Sequence, residues 1–202
     1  MTSANPTPQN DPNWLRPAAW AVAILTTGLI LYWGLTRAPQ NAFDDAYITY
    51  RYADNFRQGL GLRYNPSEWV FGTTTPLFTL LLGSLGLIIS DLELLGHWLG
   101  VISWIATALL TIPFFRQENR PFAALIAPLL IATQSTFYTS LGMETPLLVA
   151  LMLALTLVWL RGSSKTAVIL AALLILTRHD NALWLLLIGL EVGRRRRQQG
   201  HP

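Results

Sequence analysis

Asp44 and Asp45 stand side by side at the head of F-D-D-A-Y-I-T-Y-R-Y-A-D-N-F-R-Q-G-L-G, a polar and aromatic stretch that closes on Gly59 and Gly61. Acids at the front and glycines behind outline one helix from about Asp45 to Gln58. A purely local reading makes Asp44 the helix cap, sets Asp45 against the N-terminal dipole, and pairs Asp54 with Arg57 or Arg51. That reading uses one acid of the pair well and does not require two. Adjacent helical residues point about 100° apart. One carboxylate can therefore cap while its neighbour faces a cleft, where it suits deprotonating a hydroxyl or holding a divalent cation such as Mg or Mn.

Two further polar groups interrupt apolar surroundings. Leu141-Gly142-Met143-Glu144-Thr145-Pro146 brings in a lone glutamate, and Thr177-Arg178-His179-Asp180-Asn181 an arginine, a histidine and an aspartate. Ionisable groups near membrane depth are costly and tend to be functional. The plain alternative is that Arg178 and Asp180 neutralise each other. The three histidines, His97, His179 and His201, are too few and too scattered for a multi-histidine metal site, and with no cysteine there is no thiolate site, disulfide or cysteine nucleophile. Thr73-Thr74-Thr75-Pro76 reads as the cap of a helix.

The elements that must position these residues are apolar. Of 202 residues 52% are hydrophobic and 12% charged, and the mean hydropathy is +0.39. Soluble domains carry about 25% charged residues, so the composition points to a membrane protein. The basic residues sit in short loops between apolar blocks rather than on one amphipathic face, which excludes nucleic acid as the partner and favours the lipid bilayer.

Residues 1–16 are polar and proline-rich and read as a disordered tail. Residues 17–35 form a first span, longer than the apolar core of a signal peptide. Residues 36–91 form an external loop, within which the apolar run 76–89 is too short to cross and reads as a re-entrant or interfacial helix. Further spans are expected at 92–115, 121–138, 145–160, 166–177 and 182–192. Tyr32, Trp33, Trp69 and Phe71 suit an interfacial aromatic belt. The expected fold is thus all-α and polytopic, with about six transmembrane helices between residues 17 and 193 and a basic tail at 194–202.

Charge sets the orientation. With six crossings, Arg16, Arg116, Arg120, Arg161, Lys165 and Arg194 to Arg197 share one side, nine of the fourteen basic residues. The other side holds eight of the eleven acids, Asp44, Asp45, Glu144 and Asp180 among them. Both termini are therefore expected in the cytoplasm and the acids on the far side of a bacterial inner or plasma membrane.

Taken in order, a first span followed by DDAYITYRYADNFRQGLGLRYNPSE, then TTPL before an apolar helix, GMETPL and LTRHD resembles the GT-C superfamily of polytopic membrane glycosyltransferases. The likeness is to the N-terminal part of the terminal arabinofuranosyltransferase branch and covers about residues 17–192. It implies transfer of a sugar from a polyprenyl-phosphate donor to a glycan or lipid-linked acceptor hydroxyl on the non-cytoplasmic face. By that resemblance Asp44 and Asp45 are the catalytic pair and one of them the base. Glu144 matches the acid of the family's corresponding turn, and Arg178 the arginine facing the donor phosphate. His179, Asp180 and Arg51 complete the candidate substrate-binding set. A divalent cation on Asp44 or Asp45 is the alternative to the arginine. Two other readings stand beside the enzyme: a non-catalytic membrane subunit that needs a partner chain, and a small transporter.

Overall fold

Each apolar block forms a helix, the arrangement that satisfies every backbone N–H and C=O within one segment where water is absent. The computed structural model of the chain describes residues 13–39, 42–68 and 72–198. Its helices run α1 (Leu15–Thr36), α2 (Asp44–Arg57), α3 (Pro76–Leu85), α4 (Leu92–Gln117), α5 (Pro121–Ala132), α6 (Ser135–Thr139), α7 (Thr145–Leu160), α8 (Ser164–Thr177) and α9 (Ala182–Gln198), with a 3-10 turn at His179–Asn181. Among the described residues there is no strand.

Among the described residues three segments are long and apolar enough to cross a membrane: α1, α4, and Pro121–Thr139, which takes in α5 and α6. Helices α7 and α8 have 16 and 14 residues. At 1.5 Å per residue these reach about 24 and 21 Å, short of a hydrocarbon core of roughly 30 Å. Helix α3 has only 10 residues, because the chain turns at 86–88 before the apolar run ends. The exterior is apolar where a bilayer would touch it: Trp20 and Ile24 are 72% and 71% exposed, and α5, α8 and α9 present Phe122, Val168 and Leu183.

Helices α1 and α4 run antiparallel. Near the end of α1, His97 Nε2 lies 2.8 Å from the Gly34 carbonyl oxygen, and a Cβ on Gly34 would stand 2.8 Å from Val101 Cγ2. At the other end Arg16 and Arg116 border one groove. Ile30, Val101, Trp104, Ala108, Ala132, Phe137 and Leu141 fill the core between them.

Trp104 stacks on Phe137 with centroids 5.7 Å apart, and its indole N–H donates to the Ile131 carbonyl at 2.8 Å. That carbonyl lies at the break between α5 and α6. The span expected over 121–138 is two helices, and the indole shares the Ile131 carbonyl with the Gln134 N–H, 3.2 Å away, at that break.

A second cluster, Ala46, Tyr50, Ala53, Phe78, Leu82, Leu92 and Leu95, binds α2 and α3 to the start of α4. Buried threonines add to it: Thr49 and Thr75 hydroxyls lie 3.3 Å apart, Thr73 and Thr79 hydroxyls 3.0 Å apart. Thr75 holds the cap position of α3 without a side-chain capping bond, with Pro76 in the first turn. Asp91 caps α4, accepting from the Leu94 N–H at 2.9 Å.

Helix α1 begins at Leu15, so the expected tail gives up its last two residues to the helix. Residues 1–12 of that tail, Trp69, Phe71 and residues 199–202 lie outside the described residues. Helix α9 continues past 192 to Gln198, so Arg194 to Arg197 extend it.

Candidate active site

Helix α2 starts at Asp44. Its cap position is Phe43, with extended backbone at φ −64° and ψ 152° and no side-chain capping bond. The expectation that Asp44 caps the helix is corrected. A cap needs a non-helical backbone, and Asp44 is already helical. Both acids stand exposed in the first turn, where negative charge complements the helix dipole. Asp54 takes Arg57, with Nε to Oδ1 at 2.6 Å, and not Arg51. Arg51 donates instead to the Tyr64 carbonyl at 3.3 Å.

The buried Tyr50 hydroxyl donates to the Gly142 carbonyl at 2.9 Å. Gly142 has φ +94°, and a Cβ there would meet Ala42 Cβ at 2.9 Å. Met143 and Leu147 pack on the same apolar cluster as Ala46 and Tyr50. The start of α2 and the turn carrying Glu144 therefore lie at one end of the molecule, with chain geometry limiting the Asp44 to Glu144 Cα separation to about 20 Å.

Tyr47 flanks the acidic pair. Its phenol is pushed up from its ordinary value by burial and then by the charges of Glu93 and Asp44. Burial, followed by Tyr47, Glu93 and Asp91, likewise raises Tyr50. Tyr47, Tyr50 and Glu93 are absent from the residues expected from sequence. The i to i+3 spacing of Asp44 and Tyr47 was the available signal; Glu93 had none, since α4 brings it in from another element.

At the end of α8 the Arg178 backbone is extended, and its side chain reaches both turns. Nη1 donates to Glu144 Oε1 at 3.2 Å, while Nε and Nη2 donate to Asp180 Oδ1 and Oδ2 at 3.2 and 3.0 Å. The Glu144 side chain is 7% exposed and that of Arg178 41%. A buried carboxylate needs a charged or hydrogen-bonded partner, and Arg178 supplies it. The Arg178 hydrogen bond holds the Asp180 carboxyl below its ordinary value, and Asp180 raises Arg178 in return. Asn181 Nδ2 donates to the Arg178 carbonyl at 2.9 Å and steadies the turn. His179 is exposed, and none of these bonds uses it.

Of the candidates, Glu144, Arg178 and Asp180 form one ion-pair cluster. Asp44 and Asp45 sit at the same end on a separate element, and Arg51 and His179 stand outside the cluster. Among the described residues no three His, Asp or Glu side chains converge as a metal cage. A Mg-type ion needs only one or two carboxylates together with substrate phosphate oxygens, and an exposed Asp44–Asp45 pair fits that demand. Comparison with protein-family models, with curated proteins and with solved structures finds no match to this chain.

Proposed function

We propose that this chain is a polytopic membrane glycosyltransferase of the GT-C type that moves a sugar from a polyprenyl-phosphate donor to an acceptor hydroxyl on the non-cytoplasmic face of a bacterial plasma membrane. In this reading α1, α4, α5 with α6, α7, α8 and α9 are six crossings, the short α7 and α8 leaving their connecting turns near membrane depth, and both termini are cytoplasmic. The observation that supports it is the gathering of Asp44, Asp45, Glu144 and Arg178 at one end, joined through Tyr50 and Gly142.

The acceptor oxygen attacks the anomeric carbon, and Asp45, with Asp44 as its understudy, takes the hydroxyl proton. The anomeric carbon–oxygen bond breaks and its electron pair stays with the phosphate, which departs as polyprenyl phosphate. Arg178, half-exposed and held in place by Glu144 and Asp180, meets the charge that develops on that leaving group. A divalent cation on the acidic pair would supply further positive charge at the phosphate.

The test is transfer of labelled sugar from a polyprenyl-phosphate donor in membranes carrying Asp45→Asn or the double variant with Asp44→Asn. Loss of at least about 100-fold is expected, with membrane insertion unchanged. Full transfer in the double variant would defeat the proposal.

One observation favours a second reading, a subunit completed by another membrane chain. Helix α9 packs on the remainder chiefly through the 3-10 turn and exposes Leu183, Leu186, Leu187 and Leu190. A bare monomer by mass in mild detergent would count against that partner.

A further inference from the structure

At the end of α1 and α4 remote from the acidic cluster lies an open groove of about 470 Å³, within the size range of ligand sites. Its walls are Trp20 and Ala23 of α1 and Leu109 and Ile112 of α4, and its rim is Arg16 and Arg116. The antiparallel packing brings the first turn of α1 beside the last turn of α4, so two guanidinium groups from distant parts of the chain share one mouth. From Gly96, beside Tyr50, to Arg116 is 20 residues of α4, about 30 Å along its axis. The groove is therefore separate from the acidic end.

Along the helix axis its chemistry changes in one direction. The rim is cationic and the walls one to two turns deeper are apolar, and among the described residues no acidic side chain lines it. Guanidinium recognises phosphate oxygens in a fork, with more geometric specificity than a point charge. Trp20, largely exposed beside the rim, is the residue type that settles at headgroup level. Trp14 rests on Phe122 with ring centroids 6.0 Å apart, which brings the α4–α5 turn and Arg120 to the same end. Basic pockets between apolar helices take anionic lipid headgroups in this way.

We propose that the α1–α4 groove binds an anionic glycerophospholipid, its headgroup phosphate between Arg16 and Arg116 and an acyl chain along Ala23, Leu109 and Ile112. The site is independent of the glycosyl-transfer reading and holds for either orientation in the membrane.

Native mass spectrometry of the full chain in mild detergent, titrated with phosphatidylglycerol, phosphatidylcholine, polyprenyl phosphate or inorganic phosphate, tests it. One phosphatidylglycerol is expected to stay bound at concentrations where phosphatidylcholine does not. The Arg16→Gln, Arg116→Gln double variant should weaken its retention about 30-fold. Ala23→Phe, which leaves both arginines and fills the groove, should also weaken it. Equal retention of the two phospholipids, unchanged retention in both variants, preferential retention of polyprenyl phosphate, or displacement by millimolar inorganic phosphate would each overturn the proposal.

Discussion

The Tyr50 hydroxyl, bonded to the Gly142 carbonyl at 2.9 Å, is enclosed by two glycines: a Cβ on Gly96 would stand 2.6 Å from its oxygen and one on Gly142 2.7 Å. This bond, with the packing of Met143 and Leu147 on the Tyr50 cluster, ties the helix bearing Asp44 and Asp45 to the turn bearing Glu144. Tyr50→Phe leaves the Gly142 carbonyl without its donor and is expected to cost about 1–3 kcal/mol. Gly142→Ala should cost more, because it adds a clash to a strained left-handed backbone. Thermal unfolding in detergent reads both. A Tyr50→Phe protein as stable as the unmodified chain would show that this bond does not hold the two elements together.

Arg178 neutralises the buried Glu144 carboxylate. Arg178→Ala is expected to lose about 1–3 kcal/mol by stranding that charge, at the lower end because the arginine is 41% exposed. Adding Glu144→Gln should restore part of the loss, since the stranded group is then neutral. Additive losses in the double-mutant cycle would mean that the two residues are not coupled.

Acid should loosen the same turn. Asp180 is held below its ordinary value by Arg178, so its contribution is fully present above the unfolded-state pKa of about 3.9. It is lost as pH falls through the lower folded value. Unfolding scans below about pH 4 should therefore show declining stability, with a shallower decline in Asp180→Asn. Identical acid limbs in the two proteins would contradict the assignment.

Close approach of α1 and α4 depends on Gly34. A Cβ there would press on Val101 at 2.8 Å, so Gly34→Ala is expected to destabilise by about 1–3 kcal/mol. Val101→Ala in the same chain should recover part of that loss by making room. Failure of the second change to compensate would place the strain elsewhere.

A topology reporter fused after Arg197 is expected to read cytoplasmic under the six-crossing proposal. An extracytoplasmic signal would invert every loop beyond α3 and remove Arg178 from the face assigned to catalysis.

Hydropathy and charge alone made the helical class, the helix of α2 and the main polar turns legible. The 3.6-residue repeat and the cost of bare backbone in lipid act locally and depend only on neighbouring residues. The pairing of Arg178 with Asp180 was readable for the same reason, two residues apart in one turn. Helix ends were less legible: Phe43 takes the cap position that Asp44 suggests, and the apolar run 121–138 breaks at Thr133 and Gln134, where Trp104 serves the Ile131 carbonyl.

Which residues meet across the chain was decided only by tertiary packing. Glu144 and Arg178 are 34 positions apart, Tyr50 and Gly142 are 92 apart, and Arg16 and Arg116 come to one rim from opposite ends of antiparallel helices. No local propensity encodes these meetings. Part of that packing rests on glycines: at 34, 96 and 142 they let α1 approach α4 and let Tyr50 of α2 lie against α4 and the turn at Gly142 more closely than any larger residue would allow.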